Sequence, residues 1–332
     1  MSGVRPAVAG SLPFRWLSPA GRRARLSIFI FHRVLAAPDP LLPDEPDAAR
    51  FEQIVAFLAR NFEVLPLADA ARRLAAGTLP AAAAAITFDD GYADNLEVAA
   101  PILGRHGLTA TFFIATGYLD GGRMWNDGVI EALRRLPTGE IDWRDLGLGL
   151  YRLDAASSRR AAIGSILGRL KYFPAARRVE VAGEIARRAG LPARDTLMLT
   201  RDGLRALRAL GMEIGGHTRT HPILRTLDEK AAADEIAGGR DELEACLGER
   251  PRSFAYPNGI PGVDYDARDA ALVRRLGFTC AVSTVRGAAG RASDVYELPR
   301  FTPWDRTPGR FALRCADNLL RARWRPAVPL QA

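Results

Sequence analysis

Residues 85–95, AITFDDGYADN, place two aspartates and a glycine directly after an apolar run. Ile86, Phe88 and the alanines before them predict a buried strand, and Asp89 and Asp90 follow at its end. Two like charges that are held close together are unfavourable unless a positive group offsets them. The stretch therefore predicts a buried strand whose two terminal carboxylates lie next to a positive group.

Strand and helix patterns alternate on both sides of this stretch. Runs of apolar, β-branched and aromatic residues predict strands at 26–34, 62–67, 82–88, 108–116, 212–218, 252–259, 278–284 and 296–303. Apolar residues at helical spacing, with capping residues at several ends, predict helices at 47–61, 68–76, 95–107, 200–211, 228–248 and 266–277. Such an order indicates a parallel sheet covered by helices, in which functional groups lie at the carboxyl ends of strands. Asp89 and Asp90 lie at one such end.

The domain organisation follows from shifts in composition along the chain. Residues 1–25 are rich in Pro, Gly and Arg and predict an irregular lead-in. Residues 26–320 predict one domain, interrupted over 122–198 by segments of helical character that predict a helical insertion. Residues 321–332 form a basic tail.

The composition limits the class of protein. The chain has 332 residues, a formal net charge of +8 and a hydrophobic fraction of 48%, which is typical of a soluble globular protein. No segment approaches the ~18 apolar residues of a membrane span, and residues 7–17 lack the features of a secretion signal. Three scattered cysteines, Cys246, Cys280 and Cys315, favour a reducing compartment. We expect a cytoplasmic or membrane-peripheral protein, and the oligomeric state stays open.

The tail adds a positive patch, with Arg321, Arg323 and Arg325 around Trp324. A solvated helix end is the favoured interpretation, and peripheral contact with an anionic lipid surface is the alternative. No zinc-finger, RRM or other nucleic-acid motif accompanies the charge, so we expect no nucleic-acid partner.

A second motif, HTRTH, contains two of the four histidines and follows a predicted strand. The spacing of His217 and His221 places both imidazoles on one side of a helical turn or tight loop, where one metal ion can bind both. Two histidines with one carboxylate form a common metal site that leaves positions open for water and substrate. The ion would offset one aspartate of the first motif, and the second would stay charged nearby and act as a general base.

Three motifs together indicate a family. TFDDG (87–91), HTRTH (217–221) and FAYPNG (254–259) resemble the first three motifs of the polysaccharide deacetylases, which carry the NodB homology domain and form carbohydrate esterase family 4. The resemblance extends from about residue 26 to 305. The helical insertion lies outside it.

The resemblance implies a distorted (β/α) barrel that removes N-acetyl groups from amino sugars, so the expected partner is an N-acetylated glycan. It implies that Asp89 is the base and that Asp90, His217 and His221 hold a divalent metal, usually zinc and sometimes cobalt or nickel. A backbone N–H near Asn258 is the expected donor to the tetrahedral oxyanion.

The general acid and the arginine that orients the base depart from the common pattern. No histidine follows His221, whereas FHRV (31–34) is similar to the early Tyr/Phe-His of the poly-N-acetylglucosamine deacetylase branch, so His32 is the candidate acid. The alternative for His32 is an imidazole bonded to backbone at a strand end. The third motif has Ala255 where many relatives have the orienting arginine. Arg300 is the candidate replacement, and a surface cation is the alternative.

These observations favour a metal-dependent N-deacetylase that acts on a polysaccharide or a glycan precursor. One alternative keeps the metal and hydrolyses an O-acetyl ester or a small amide. Another is an inactive carbohydrate-binding protein with the deacetylase fold, which the displaced acid and the absent arginine favour. Trp125, Tyr256 and Trp304 are candidates for stacking on a sugar, although such rings are more often core or rim residues.

Overall fold

The computed structural model describes residues 12–303, 305 and 307–320. Trp304 and the basic tail predicted over 321–332 lie outside these residues. In the lead-in, where we expected irregular chain, residues Leu12–Leu17 form a short helix. In the described part of the chain, no helix combines the length and the apolar character that a membrane crossing requires.

Parallel strands form the centre of the fold. The strands are β1 (Leu26–Phe31), β2 (Glu63–Val64), β3 (Ala83–Phe88), β4 (Thr111–Ile114), β5 (Glu140–Asp142), β6 (Leu150–Arg152), β7 (Glu213–Gly216), β8 (Ser253–Ala255), β9 (Cys280–Arg286) and β10 (Leu298–Arg300). The main sheet has the order β1-β3-β4-β7-β8-β9-β10, with β2 beside the start of β3, while β5 and β6 form a separate antiparallel hairpin.

The main sheet nearly closes on itself beyond β10. The Ile30 N–H donates to the Phe301 carbonyl at 3.1 Å, and the Phe301 N–H donates to the Ile28 carbonyl at 2.7 Å. Phe301 thereby forms a parallel bridge to Phe29 of β1. A single bridge, and not a continuous ladder of hydrogen bonds, closes the sheet, which makes the barrel irregular. The predicted distorted (β/α) barrel is therefore confirmed.

Helices cover the outside of this barrel. They are α1 (Leu12–Leu17), α2 (Ala48–Asn61), α3 (Leu67–Ala76), α4 (Ala100–Arg105), α5 (Trp125–Arg135), α6 (Ala156–Leu170), α7 (Ala175–Arg188), α8 (Arg201–Ala209), α9 (Glu229–Leu247), α10 (Ala267–Arg275) and α11 (Pro308–Leu320). The predicted caps are confirmed: the Asp47 carboxylate accepts from the Arg50 N–H at 2.8 Å, and the Thr200 hydroxyl accepts from the Gly203 N–H at 3.0 Å.

The helix predicted over 95–107 is present, but its first part is not a regular α-helix. Residues Asn95–Ala99 form a π-helical turn, and the α-helix begins only at Ala100. Pro101 lacks the N–H that an α-helix would direct to the Glu97 carbonyl, so the regular ladder cannot run through this point.

Strand β3 directs the first aspartate into the barrel. Ile86 and Phe88 pack towards the covering helices, whereas Ala83 and Ala85 pack in a second cluster with inward-facing residues of the other strands. Asp89 is the next member of the inward series. It is therefore 3% exposed and lies at the carboxyl end of the barrel interior.

The segment 122–198 has a core of its own. Val129, Trp143, Ile166 and Ile185 belong to an apolar cluster that packs α5, α6 and α7 together. We expected helices only, so the β5–β6 hairpin is a correction. Each of its strands has three residues, and only the central side chain is half-buried. A strand this short shows no recognisable alternation of apolar and polar residues in the sequence.

Gly215 of β7 offers a test of the barrel packing. A Cβ atom here would lie 2.5 Å from the buried Phe113 ring and 2.8 Å from Ser253 Oγ, so Gly215→Ala should lower the free energy of unfolding by about 1–3 kcal/mol. Gly164→Ala, on the exposed face of α6 with open space around it, should raise it by roughly 0.5–1 kcal/mol. Urea denaturation measures both, and equal effects of the two substitutions would contradict the packing argument.

Candidate active site

The carboxyl ends of the parallel strands open into a cavity of about 480 Å³. The residues that follow β1, β3, β7 and β8 meet here, as expected for a sheet of this type. Of the predicted site residues, six line the cavity: His32, Asp89, Asp90, His217, His221 and Asn258. The seventh, Arg300, lies directly behind Asp89.

Arg300 and Asp89 form a buried ion pair between the ends of β10 and β3. Arg300 Nη1 and Nη2 donate to the two carboxylate oxygens of Asp89 at 2.6 and 2.7 Å, and its Nε donates to the Ser283 carbonyl at 2.8 Å. Arg300 is 1% exposed, which excludes the alternative of a surface cation. Burial alone would raise the pKa of Asp89, but the guanidinium outweighs it and holds the pKa below its usual range. Asp89 is therefore ionised and fixed in orientation.

Asp90 is turned away from its neighbour by an unusual backbone. Its φ of 76° and the φ of 91° at Gly91 lie in the left-handed region, which interrupts the strand alternation. A side chain at position 91 would also press against Ile114, since its Cβ would come within 3.2 Å of that residue. Because glycine permits this turn, the adjacent carboxylates of Asp89 and Asp90 point in different directions and contact different residues.

The two histidines of HTRTH lie on a tight loop after β7 and not on a helix. Thr218 and His221 have φ of 63° and 54°, and the Thr218 hydroxyl accepts from the His221 N–H at 3.1 Å. His217 Nδ1 lies 2.7 Å from the Ala255 carbonyl oxygen, which can only accept, so Nδ1 is the donor. Nε2 of His217 then faces Asp90. Burial alone would lower the pKa of His217, but the hydrogen bond and charge of Asp90 outweigh it and raise that pKa.

Asp90, His217 and His221 together fit a divalent metal ion. One ligand atom from each of these residues lies within 4.8 Å of the others. Asp90 Oδ1 lies 3.4 Å from His217 Nε2 and 3.5 Å from His221 Nε2, and it is buried without a hydrogen bond to any described residue. Burial lowers the pKa of His221 to about 4, so its imidazole is neutral, the form that binds metals. One carboxylate oxygen and two imidazole nitrogens are ligands that zinc, cobalt or nickel can bind.

His32 lies at the mouth of the cavity, directly after β1. Its side chain is exposed, and its carbonyl oxygen accepts from Asn95 Nδ2 at 2.9 Å. The imidazole has no hydrogen-bond partner among the described residues, so it is not the backbone-bonded histidine of the alternative interpretation. Asn258 lies in the turn after β8 and has a φ of 59°. Its side chain donates no hydrogen bond to a described residue.

Comparison with known proteins now identifies the family. Residues 76–143 and 162–281, together more than half of the chain, match the sequence model described as polysaccharide deacetylase. The chain belongs to the polysaccharide deacetylase family. The matched residues include 122–143 and 162–198, so most of the segment predicted as an insertion is part of the family match, contrary to our expectation that it lies outside the resemblance.

Individual relatives of this polysaccharide deacetylase are distant. The protein YxkH of Bacillus subtilis (strain 168), whose name places it in the same family, is 20% identical over 279 residues, which are 83% of this chain and 71% of YxkH. Among solved structures, the Streptococcus pyogenes deacetylase PplD has a TM-score of 0.59 at 18% identity, with 88% of this chain and 98% of that chain covered. IcaB from Ammonifex degensii has a TM-score of 0.56 at 18% identity, with 90% and 97% covered. These likenesses support the fold.

The segment 122–198 contributes to the cavity, and Trp125 is the one of its described lining residues that the sequence analysis had named. Asp127 is buried, accepts from the Tyr92 hydroxyl at 3.1 and 3.2 Å, and has a pKa that burial and Asp90 raise to about 7. Trp125, Lys171 and Arg178 also line the cavity. None belongs to a motif, and only the packing of α5, α6 and α7 brings them to the strand ends.

The Asp89–Arg300 pair predicts a large effect of Arg300→Met on stability. The variant leaves a buried carboxylate without its cation, so the free energy of unfolding of the chelator-treated protein should fall by about 3–5 kcal/mol. Arg275→Met removes an exposed ion pair with Glu229 and should cost within about 1 kcal/mol. Urea denaturation compares the two.

Adding Asp89→Asn to Arg300→Met tests the cause of that loss. Neutralising the carboxylate should cost little further stability, because the uncompensated charge is gone. A loss for Arg300→Met no greater than that for Arg275→Met would contradict the assignment.

Proposed function

We propose that this protein is a metal-dependent hydrolase that removes N-acetyl groups from amino sugars of a polysaccharide or glycan precursor and releases acetate. The observation that carries the proposal is the unsatisfied Asp90 oxygen between His217 and His221, next to a second aspartate that Arg300 keeps ionised. Two structural relatives agree with this proposal: the structure of PplD is a complex with acetate, and a relative from Aggregatibacter actinomycetemcomitans is a de-N-acetylase.

Asp90, His217 and His221 would hold the ion, which we propose is zinc, with cobalt or nickel as alternatives. When bound, such an ion supplies Lewis-acid polarisation of the acetamide carbonyl and of a neighbouring water. The protein's own contribution is to keep Asp90 ionised, His221 neutral and both imidazoles directed at Asp90. The hydrogen bond from His217 to the Ala255 carbonyl fixes the His217 ring.

Asp89 is the proposed general base. The guanidinium of Arg300 occupies both of its oxygens in one plane, which fixes the carboxylate in the ionised form at the edge of the cavity. Asp89 takes a proton from the attacking water, a new C–O bond forms at the acetyl carbon, and the C–N bond then breaks. Backbone N–H groups near Asn258 are the proposed donors to the oxyanion.

His32 is the proposed general acid. The amine leaves with its electron pair and needs a proton, which the exposed imidazole at the cavity mouth donates. Because Arg300 already orients Asp89 from β10, the absence of an arginine at position 255 gives no support to an inactive binding protein. The O-acetyl ester and small-amide alternatives use the same groups, and acetate release from matched N- and O-acetylated sugars separates them.

Metal content tests the ligand assignment. Asp90→Ala and His217→Ala should each lose the bound ion after gel filtration, because two ligands remain from a set of three. His106→Ala is the control, since His106 pairs with Glu52 away from the cavity and should leave the content unchanged. Elemental analysis of the purified proteins measures the result. Wild-type metal content in Asp90→Ala would rule out Asp90 as a ligand.

Kinetics test the two proton-transfer roles. Asp89→Asn and His32→Ala should retain metal and lower kcat for acetate release from N-acetylglucosamine oligomers by about 10²–10⁴-fold, the usual contribution of a positioned acid or base. Asp202→Asn, on the exposed face of α8, should leave kcat unchanged. Full activity of Asp89→Asn would refute the role of Asp89 as general base. Loss of metal in His32→Ala would indicate that His32 is a metal ligand and not the general acid.

A further inference from the structure

The inserted helices place two cations on the wall of the active-site cavity. Lys171, at the end of α6, and Arg178, in the second turn of α7, line the same cavity as Asp90 and His221. Both side chains come from the segment that the family's motifs do not include. Neither cation has a role in the metal site or in the proposed proton transfers.

Arg178 is held in place without a carboxylate. Its guanidinium lies over the Trp125 ring at 5.1 Å, and Nη1 donates to the Lys171 carbonyl at 3.3 Å. Its Nε is buried and has no hydrogen-bond partner among the described residues. Neither Arg178 nor Lys171 forms an ion pair with a described acidic side chain. Trp125, which we considered for stacking on a sugar, instead supports this guanidinium by a cation–π contact.

The other charged side chains around the metal site have partners within the protein. Arg33 pairs with Asp94 at 2.8 Å. Asp127 accepts from the Tyr92 hydroxyl, and Glu45 accepts from the Arg33 N–H at 3.4 Å. Asp89 has Arg300. Glu45 and Asp127 also line the cavity, and neither forms an ion pair with Lys171 or Arg178. Lys171 and Arg178 are thus cations of the cavity wall that pair with no described acidic side chain.

We propose that Lys171 and Arg178 bind an anionic group of the substrate, a carboxylate or a phosphate carried by the acetylated sugar or its neighbour. The inference rests on the proposed deacetylase function and specifies its substrate class as an acidic glycan. A guanidinium presents donors in a planar fork that matches either group, and lysine adds a point charge. The Trp125 ring and the Lys171 carbonyl hold this fork in one orientation before substrate arrives.

The experiment compares acidic glycans with neutral copies of the same chain. The carboxylate arm uses hyaluronan hexasaccharide, in which N-acetylglucosamine alternates with glucuronate, against the same hexasaccharide with its carboxyl groups reduced to alcohols. The phosphate arm uses N-acetylglucosamine 1-phosphate against methyl N-acetylglucosaminide. For each pair, kcat/KM for acetate release by the metal-loaded protein and Kd for the Asp89→Asn variant are measured.

The wild-type protein should prefer the acidic member of at least one pair, and that arm identifies the anionic group. Arg178→Gln should reduce this preference, measured as the ratio of kcat/KM for the acidic and the neutral member, roughly tenfold or more, the size of one lost charge-assisted hydrogen bond. Lys171→Gln should act in the same direction. Arg178→Lys should restore part of the preference.

Arg177→Gln is the matched control. It removes the same charge from the adjacent position of α7, where Arg177 pairs with Glu180 at 2.8 Å and does not line the cavity. It should leave the preference unchanged. Thermal unfolding of all variants shows whether the helices of the insertion stay folded.

The outcomes separate this inference from the function on which it rests. Equal kcat/KM and equal Kd for acidic and neutral members, or an equal loss in Arg177→Gln, would overturn the acidic substrate and leave the deacetylase proposal intact. Tight binding of the acidic member that Arg178→Gln abolishes, without acetate release from any probe, would support the anion site and overturn the deacetylase proposal.

Discussion

The ion pair between Asp89 and Arg300 is the interaction on which the rest of the site depends. It joins the end of β3 to the end of β10 inside the barrel, and the Arg300 Nε bond to the Ser283 carbonyl adds β9 to the same contact. A buried charge pair tolerates little displacement, because each partner is desolvated and has few substitutes. The pair therefore fixes the position of one carboxylate relative to three strands.

This geometry explains how two adjacent aspartates coexist. The sequence predicted one positive group beside them, a metal that neutralises one carboxylate and leaves the other charged. The structure provides a guanidinium for Asp89, while the left-handed backbone at Asp90 turns the second carboxylate towards His217 and His221. Arg300 offsets the charge of Asp89, and the turn at Asp90 gives the second carboxylate different partners. The left-handed backbone of Asp90, which is not a glycine, is the local cost of that separation.

Sequence reasoning reached the local parts of this arrangement and missed those that only tertiary packing creates. Asp89, Asp90, His217 and His221 were identified because each pair is contiguous or closely spaced and follows a strand. The sequence could not decide whether Arg300 pairs with Asp89 or lies on the surface, because both are common for an arginine in a strand. Its exposure of 1% in the folded protein decides the question. Lys171 and Arg178 were missed for a related reason: basic residues are ordinary on helices, and their pattern does not reveal which face covers a cavity.

The order of the strands also bears on when the protein can become active during synthesis. Asp89 and Arg300 are 211 residues apart in the chain, so their ion pair forms only after β10 has been synthesised. A nascent chain that has emerged from the ribosome with only its aspartate and histidine motifs would contain Asp90, His217 and His221 without the guanidinium. Asp89 would then become oriented only once the last strand of the barrel has been made.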